Sequence, residues 1–455
     1  MNSTDTVVAL RPRAAPAPLP QLLERQIGIA IRAYTRRAPV LRSGMTVRAL
    51  QANDQRLDAL MNVSRYYGPV ALQAAAEAFE HALRPERGGA AFVWIALAEV
   101  QCAAWDERRA RIQRLLPEHP VAARDALWFY AAPDSCASLL RDDDPGLRNL
   151  GVELAGRLAL PVHAPLLYQA AQRGADAEAC LLACARMGCL PEGYERPLAA
   201  VLQGHDLARQ HQALEVLGVQ GRPVLQAELQ AYIQRITAHD GPNEQSHPTA
   251  WAQACDAAMA LWAARAPDQA LAAVVSGLRV PQDVALRVVA MAGRAEGLLP
   301  FLDFVERQDR PVTAAERDVL RLVFGQVPGE LRDTLGQPAG RVQALRSLAC
   351  AVFAANGCAA LAPQDFTHWV DPAVRERLWP LAQIRLRSGQ SLRAGHPLRE
   401  AADVGHPLRR WLYVEHAARS AHRLALSHED RAARQLEAVE SLLLLHSLEA
   451  DDAAP

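Results

Sequence analysis

The sequence contains no lysine, so all 49 of its basic residues are arginine. A GC-rich codon bias accounts for this, yet the absence still excludes chemistry. A Walker A phosphate loop, a protein-kinase fold and a Schiff-base enzyme each need a lysine ammonium. Net charge is missing too. The 49 basic residues meet 50 acidic ones, so no general field draws a polyanion, and nucleic acid is not expected as a partner. None of the eight cysteines stands in a Cys-x-x-Cys, which argues against a zinc ribbon or a thioredoxin-type pair. Gly-x-Ser-x-Gly, His-Glu-x-x-His and Gly-x-Gly-x-x-Gly are absent as well, and with them the commonest hydrolase, zinc-protease and dinucleotide signals. The longest apolar run, residues 90–98, is less than half a membrane span, and the opening MNSTDTVVALRPRAAPAPLP has no apolar core of secretory length. These features predict a cytoplasmic protein with no membrane partner and no cofactor.

What the sequence does contain is a period. Leu150, Leu182 and Leu214 stand 32 residues apart, in three segments that each read as two short helices around a breaker. In the first, Asp144 and Pro145 suit a helix start, Leu147, Leu150, Leu154 and Leu158 form one stripe, and Pro161 separates it from Val162, Leu166, Leu167 and Ala170. The second repeats the plan around Pro191. In the third, Asp206 is the cap and Gly221 to Pro223 the break. A lone pair of short helices cannot bury its apolar face, so such units stack and share a core. The expected fold is all-α: a HEAT-like α-solenoid of antiparallel helix pairs with helical N- and C-terminal caps. A fourth pair is expected around Val284 to Val305 and a weaker fifth over 314–335. Beyond residue 340 the period is lost, with helices expected at 344–355, 372–386, 406–426 and 429–448. Four parts follow: a mobile tail over 1–20, an N-terminal helical domain over 21–135, the repeat solenoid over 136–340 and a C-terminal helical segment over 341–455, sealing the last repeat.

The N-terminal third resembles a family of bacterial proteins with HEAT-like repeats. The resemblance rests on an Arg-rich first helix, on Leu50, Asp54, Arg56, Leu57, Ala59 and Leu60 in a Leu-x-x-x-Asp-x-Arg-Leu-x-Ala-Leu helix, and on Gly88, Gly89 and Phe92 before the repeats. Genes of that family often lie beside type VI secretion components, which implies an accessory or adaptor role.

Candidate sites are few. The long polar loop over 238–249 interrupts the array, and its His239, Asp240, Asn243, Glu244 and His247 are the residues expected to contact a partner. The alternative is a helical enzyme, a metal phosphohydrolase using His163, His205-Asp206 and His239-Asp240, or a lyase on HEAT-like repeats. Against the metal, Asp206 reads as a cap and Asp240 precedes a Gly-Pro turn. Cys180, Cys184 and Cys189 read as small side chains on a packed face, with a thiol cluster for metal or redox sensing as the other reading. His416, His422 and His428 have spacings poor for one helix face and read as solvated or capping. Glu415 shows no charged neighbour that would tune it, and the twice-occurring Gly-His-Pro-Leu-Arg, at 395–399 and 405–409, reads as a helix-starting turn. The expectation is a non-enzymatic protein-binding scaffold or adaptor, an effector chaperone or immunity protein included, whose partner the sequence does not identify.

Overall fold

A computed structural model describes residues 20–42, 46–222, 225–238, 246–325, 338–358, 362–366, 368–378, 380–381, 384–392, 398, 401–420, 427 and 429–452. The described residues form 22 α-helices and one two-stranded ladder, so the fold is all-α. The expected tail, residues 239–245 of the polar loop, the first Gly-His-Pro-Leu-Arg apart from Leu398, and His422 and His428 lie outside the described residues.

Two compact units are formed, one by residues up to 36 with 55–135, the other by 37–54 with 136–455. In the first, α1 (Pro20–Arg42) and α2 (Val47–Tyr66) contribute their unit-one portions beside α3 (Pro69–His81), α4 (Arg87–Gln101), α5 (Trp105–Leu115) and α6 (Pro120–Tyr130). Helix α4 is the centre: residues 89–99 are all buried, and it packs on α3 and α6. A helix apolar all round belongs in a core. Gly89 allows α1 to approach, because a Cβ there would fall 2.5 Å from Thr35 Oγ1 and 2.7 Å from the Ile31 carbonyl. Tyr34 then stacks on Phe92 at 3.9 Å and donates to Asp125 at 2.9 Å.

In the second unit α7 (Ser135–Arg141) precedes the repeating pairs: α8 (Pro145–Leu158) with α9 (Ala164–Gln172), α10 (Ala177–Met187) with α11 (Glu195–Gln203), α12 (Leu207–Gln220) with α13 (Gln226–Ile236), α14 (Pro248–Arg265) with α15 (Pro267–Val275), and α16 (Gln282–Ala292) with α17 (Ala295–Arg307). Helix α18 (Ala314–Phe324) and α19 (Pro338–Ala355) follow. The first helices pack in chain order, α8 on α10, α10 on α12, α12 on α14, α14 on α16 and α16 on α18. The second helices α9, α11, α13 and α15 each pack against the first helix that follows. Asp144, Asp176 and Asp206 cap α8, α10 and α12 with their carboxylates, as Thr313 caps α18 with its hydroxyl.

A second device recurs four residues after the cap. Arg108, Arg148, Gln210, Trp251 and Arg317 each donate from the first turn of their helix to carbonyls of the connection or helix just before it. Arg341 of α19 reaches one connection further back, to the carbonyls of Gln308 and Arg310 ahead of α18. The last carbonyls of a helix have no partner within it, and these side chains supply one.

Past the pairs, α20 (Pro372–Arg377) is shorter than the expected helix over 372–386. Pro380 lacks the amide that would continue the ladder. A hairpin follows, β1 (Leu386–Arg387) with β2 (Gln390–Ser391), turned by Ser388 and Gly389, both at positive φ as a two-residue type I′ turn requires. Helix α21 (His406–Ser420), started by the second Gly-His-Pro-Leu-Arg, packs on α12 and α14, in the middle of the row. Helix α22 (Ala432–Asp452) follows it. The C-terminal segment therefore does more than close the last pair: it covers part of the row's face.

Candidate binding cleft beneath the C-terminal helix

The cleft under α21 is lined by Arg186 of α10, Glu215 and Gly218 of α12, Leu261 of α14, and Arg410 and Tyr413 of α21. Gly218 sets its depth, since a Cβ there would meet Val414 Cγ2 at 3.3 Å and Leu261 Cδ2 at 3.9 Å. Trp411 anchors the helix. It is fully buried, and its indole N–H donates to Asp256 of α14 at 2.9 Å.

The charged groups around the cleft hold one another. Arg410 reaches Glu215 at 3.5 Å and Asp256 at 3.4 Å, Arg287 of α16 pairs with the same Asp256, and His211 stands 3.7 Å from Glu215. Burial by itself would raise the Glu215 carboxyl, but Arg410, His211 and Arg186 outweigh it and hold the group below the usual carboxylate range. Burial pushes the His211 imidazole down, more than Glu215 beside it lifts it. Burial and the neighbouring charges thus favour the carboxylate form of Glu215 and the neutral ring of His211.

A second buried cluster lies on the other side of α21. Glu415, fully buried, faces Arg387 at 3.1 Å, Arg385 at 3.3 Å and Arg419 at 3.8 Å, and Arg385 also donates to the carbonyls of Met291 and Ala292. This corrects the expectation that Glu415 has no charged neighbour. Arg385 and Arg387 come from the hairpin segment, 28 to 30 residues away in sequence, where no local pattern shows them, whereas Arg419 is the i+4 neighbour on the same helix. His416 is buried rather than solvated, because α21 is covered on more than one side. Arg37, in the basic first helix, is also buried: it pairs with Asp54 at 3.0 Å and donates to the carbonyls of Glu429 and Asp430, while Arg32 and Arg36 remain exposed.

Among the described residues, the candidates named from the sequence are spread over several elements. Of the polar-loop residues only His247 is described; it is exposed and directly precedes α14. His163 is buried at the start of α9, with its ring pushed down by burial, whereas His205 is exposed before α12. Asp206 spends its carboxylate on the amides of Ala208 and Arg209. Cys180 and Cys184 are buried and Cys189 is half-buried. Among the described residues, no group of three or more His, Cys, Asp or Glu is placed to hold a metal ion, and no helix is long and apolar enough to cross a membrane. The pattern of the sequence does not reveal the cleft, whose only local signal is Gly218, a glycine inside an otherwise regular helix. Comparison with protein-family models, curated proteins and solved structures returns no match to this chain.

Proposed function

We propose that this protein is a non-enzymatic scaffold or adaptor that binds a protein partner through an extended array of helix pairs. The observation that carries the reading is the row of first helices packed in chain order with second helices alongside, which builds a long surface from short units. Two further features support it. The buried charges of the cleft pair with one another across α12, α14 and α21. The connection after α8 exposes Leu160, Val162 and, on α9, Tyr168, apolar side chains that water does not favour and a partner could cover. The resemblance of the N-terminal third adds type VI secretion as the setting.

The test is affinity purification of the full chain from cells expressing the genes beside its own, followed by reconstitution with each captured protein. A stoichiometric complex that the triple change Leu160→Asp, Val162→Asp and Tyr168→Asp weakens at least tenfold is the expected result. No reconstituted complex with any captured protein overturns the proposal.

A further inference from the structure

Helix α10 ends in a turn that brings two cysteines together. Gly188 is left-handed at φ 73°, its amide donates to the Ala185 carbonyl at 3.1 Å, and the Cys189 amide donates to the Cys184 carbonyl at 2.9 Å. This pair of bonds is the Schellman motif, in which the side chains three residues before the cap and two after it meet. Here those positions are Cys184 and Cys189. The Cys189 thiol approaches the Cys184 carbonyl at 3.6 Å, the Tyr168 hydroxyl donates to the Cys189 carbonyl at 2.6 Å, and Cys184, Cys189 and Tyr168 are near enough to shift one another's ionisation. Cys189 is half-buried and reachable from solvent; Cys184 is buried.

We propose that Cys184 and Cys189 are a redox-modifiable pair, closed by peroxide into an intramolecular disulfide that clips the end of α10. Exposure assigns the order of events. The Cys189 thiolate attacks one peroxide oxygen, forming an S–O bond as the O–O bond breaks and hydroxide leaves, and the product is a sulfenic acid. The Cys184 sulfur then attacks the Cys189 sulfur, forming S–S and expelling the sulfenic oxygen, which leaves as water with the Cys184 proton. Two thiols lose two electrons, and one peroxide becomes two waters. Burial pushes the Cys184 thiol up to about 12, so it is the resolving and slower partner. Cys180 is the competing partner for Cys184. It stands four residues earlier on the same helix, where Cβ atoms are roughly 5–6 Å apart, wider than the ~3.5–4.5 Å of a disulfide.

Native full-length protein is treated with millimolar hydrogen peroxide, alkylated, denatured and digested with trypsin, which cuts at Arg186 between the two cysteines. The expected result is a disulfide-linked peptide pair whose fragments place the bond at Cys184 and Cys189, with free thiols falling from eight to six. In Cys184→Ser the expectation is a Cys189 sulfenic acid that dimedone traps and that wild type does not accumulate. Two outcomes overturn the proposal: wild-type Cys189 oxidised while Cys184 remains alkylatable, or both thiols alkylated after treatment that oxidises the unfolded chain.

Discussion

At the scale of single residues, the arginines do two different jobs. Some anchor a chain reversal. Arg148 is buried and donates to the carbonyls of Asp142 and Arg173, both of which lose a partner without it. Replacing it by alanine removes a donor from each of those carbonyls, and Arg148→Ala should lower the unfolding free energy by about 1–3 kcal/mol in urea titrations. An unchanged midpoint would show that water replaces the guanidinium. Others set the charge state of carboxylates. Asp318 is buried; that burial, opposed by the Gly405 amide at 3.1 Å and by Arg321, Arg287 and Arg317, pushes its carboxyl from 3.8 up to about 6. The folded state therefore binds the proton more tightly than the unfolded chain between those two pH values. Stability is lost as pH rises through that window, and the cost is complete above it. Asp318→Asn keeps the acceptor for Gly405 without the charge. It should be more stable than wild type by about 3 kcal/mol at pH 8 and equal to it at about pH 3. A constant difference across that range would exclude Asp318 as the titrating group.

At the scale of elements, the caps are legible in the sequence and the contacts of α21 are not. Asp144 and Asp206 stand at helix starts for a local reason: a short carboxylate can accept the free amides of the first turn. In the fold Asp144 accepts from Gly146 and Leu147. Asp144→Ala should cost about 1 kcal/mol, read as a small shift of the thermal midpoint. The hairpin at 386–391 has a local signal too, the Ser-Gly between Arg387 and Gln390, but a helical period drawn through Pro380 hides it. Helix α21 differs because its apolar positions could serve any neighbour. Only packing shows that Trp411 meets α14. Trp411→Ala removes a fully buried ring and its bond to Asp256, and it should destabilise by about 3–5 kcal/mol. A loss under 1 kcal/mol would mean that the cleft closes over the gap.

At the scale of the whole molecule, the second unit depends on a segment far from the repeats in sequence. Leu408, Trp411, Leu412 and Ala417 are all buried on α21. Asp54 accepts from the Ala432 amide at 3.0 Å, and Arg157 of α8 pairs with Glu429 at 2.8 Å. Each buried leucine or tryptophan is worth about 2–5 kcal/mol, and a domain has only about 5–15 kcal/mol in total. A chain ending at Val404 should therefore lose hydrogen-exchange protection across α12 and α14 and bind a hydrophobic dye. Unchanged protection there would mean that the row stands without its C-terminal cover.

The sequence by itself determined the all-α class, the caps and most helix limits, because propensity, capping and the 32-residue period act within a few turns of chain. Tertiary structure alone decided that Glu415 meets the two arginines of the hairpin segment, that Arg37 and His416 are buried, and that α21 lies on the middle of the row and forms the cleft. Those contacts join residues tens to hundreds of positions apart. A neutral, evenly mixed charge pattern is compatible with many such pairings, and burial selects among them.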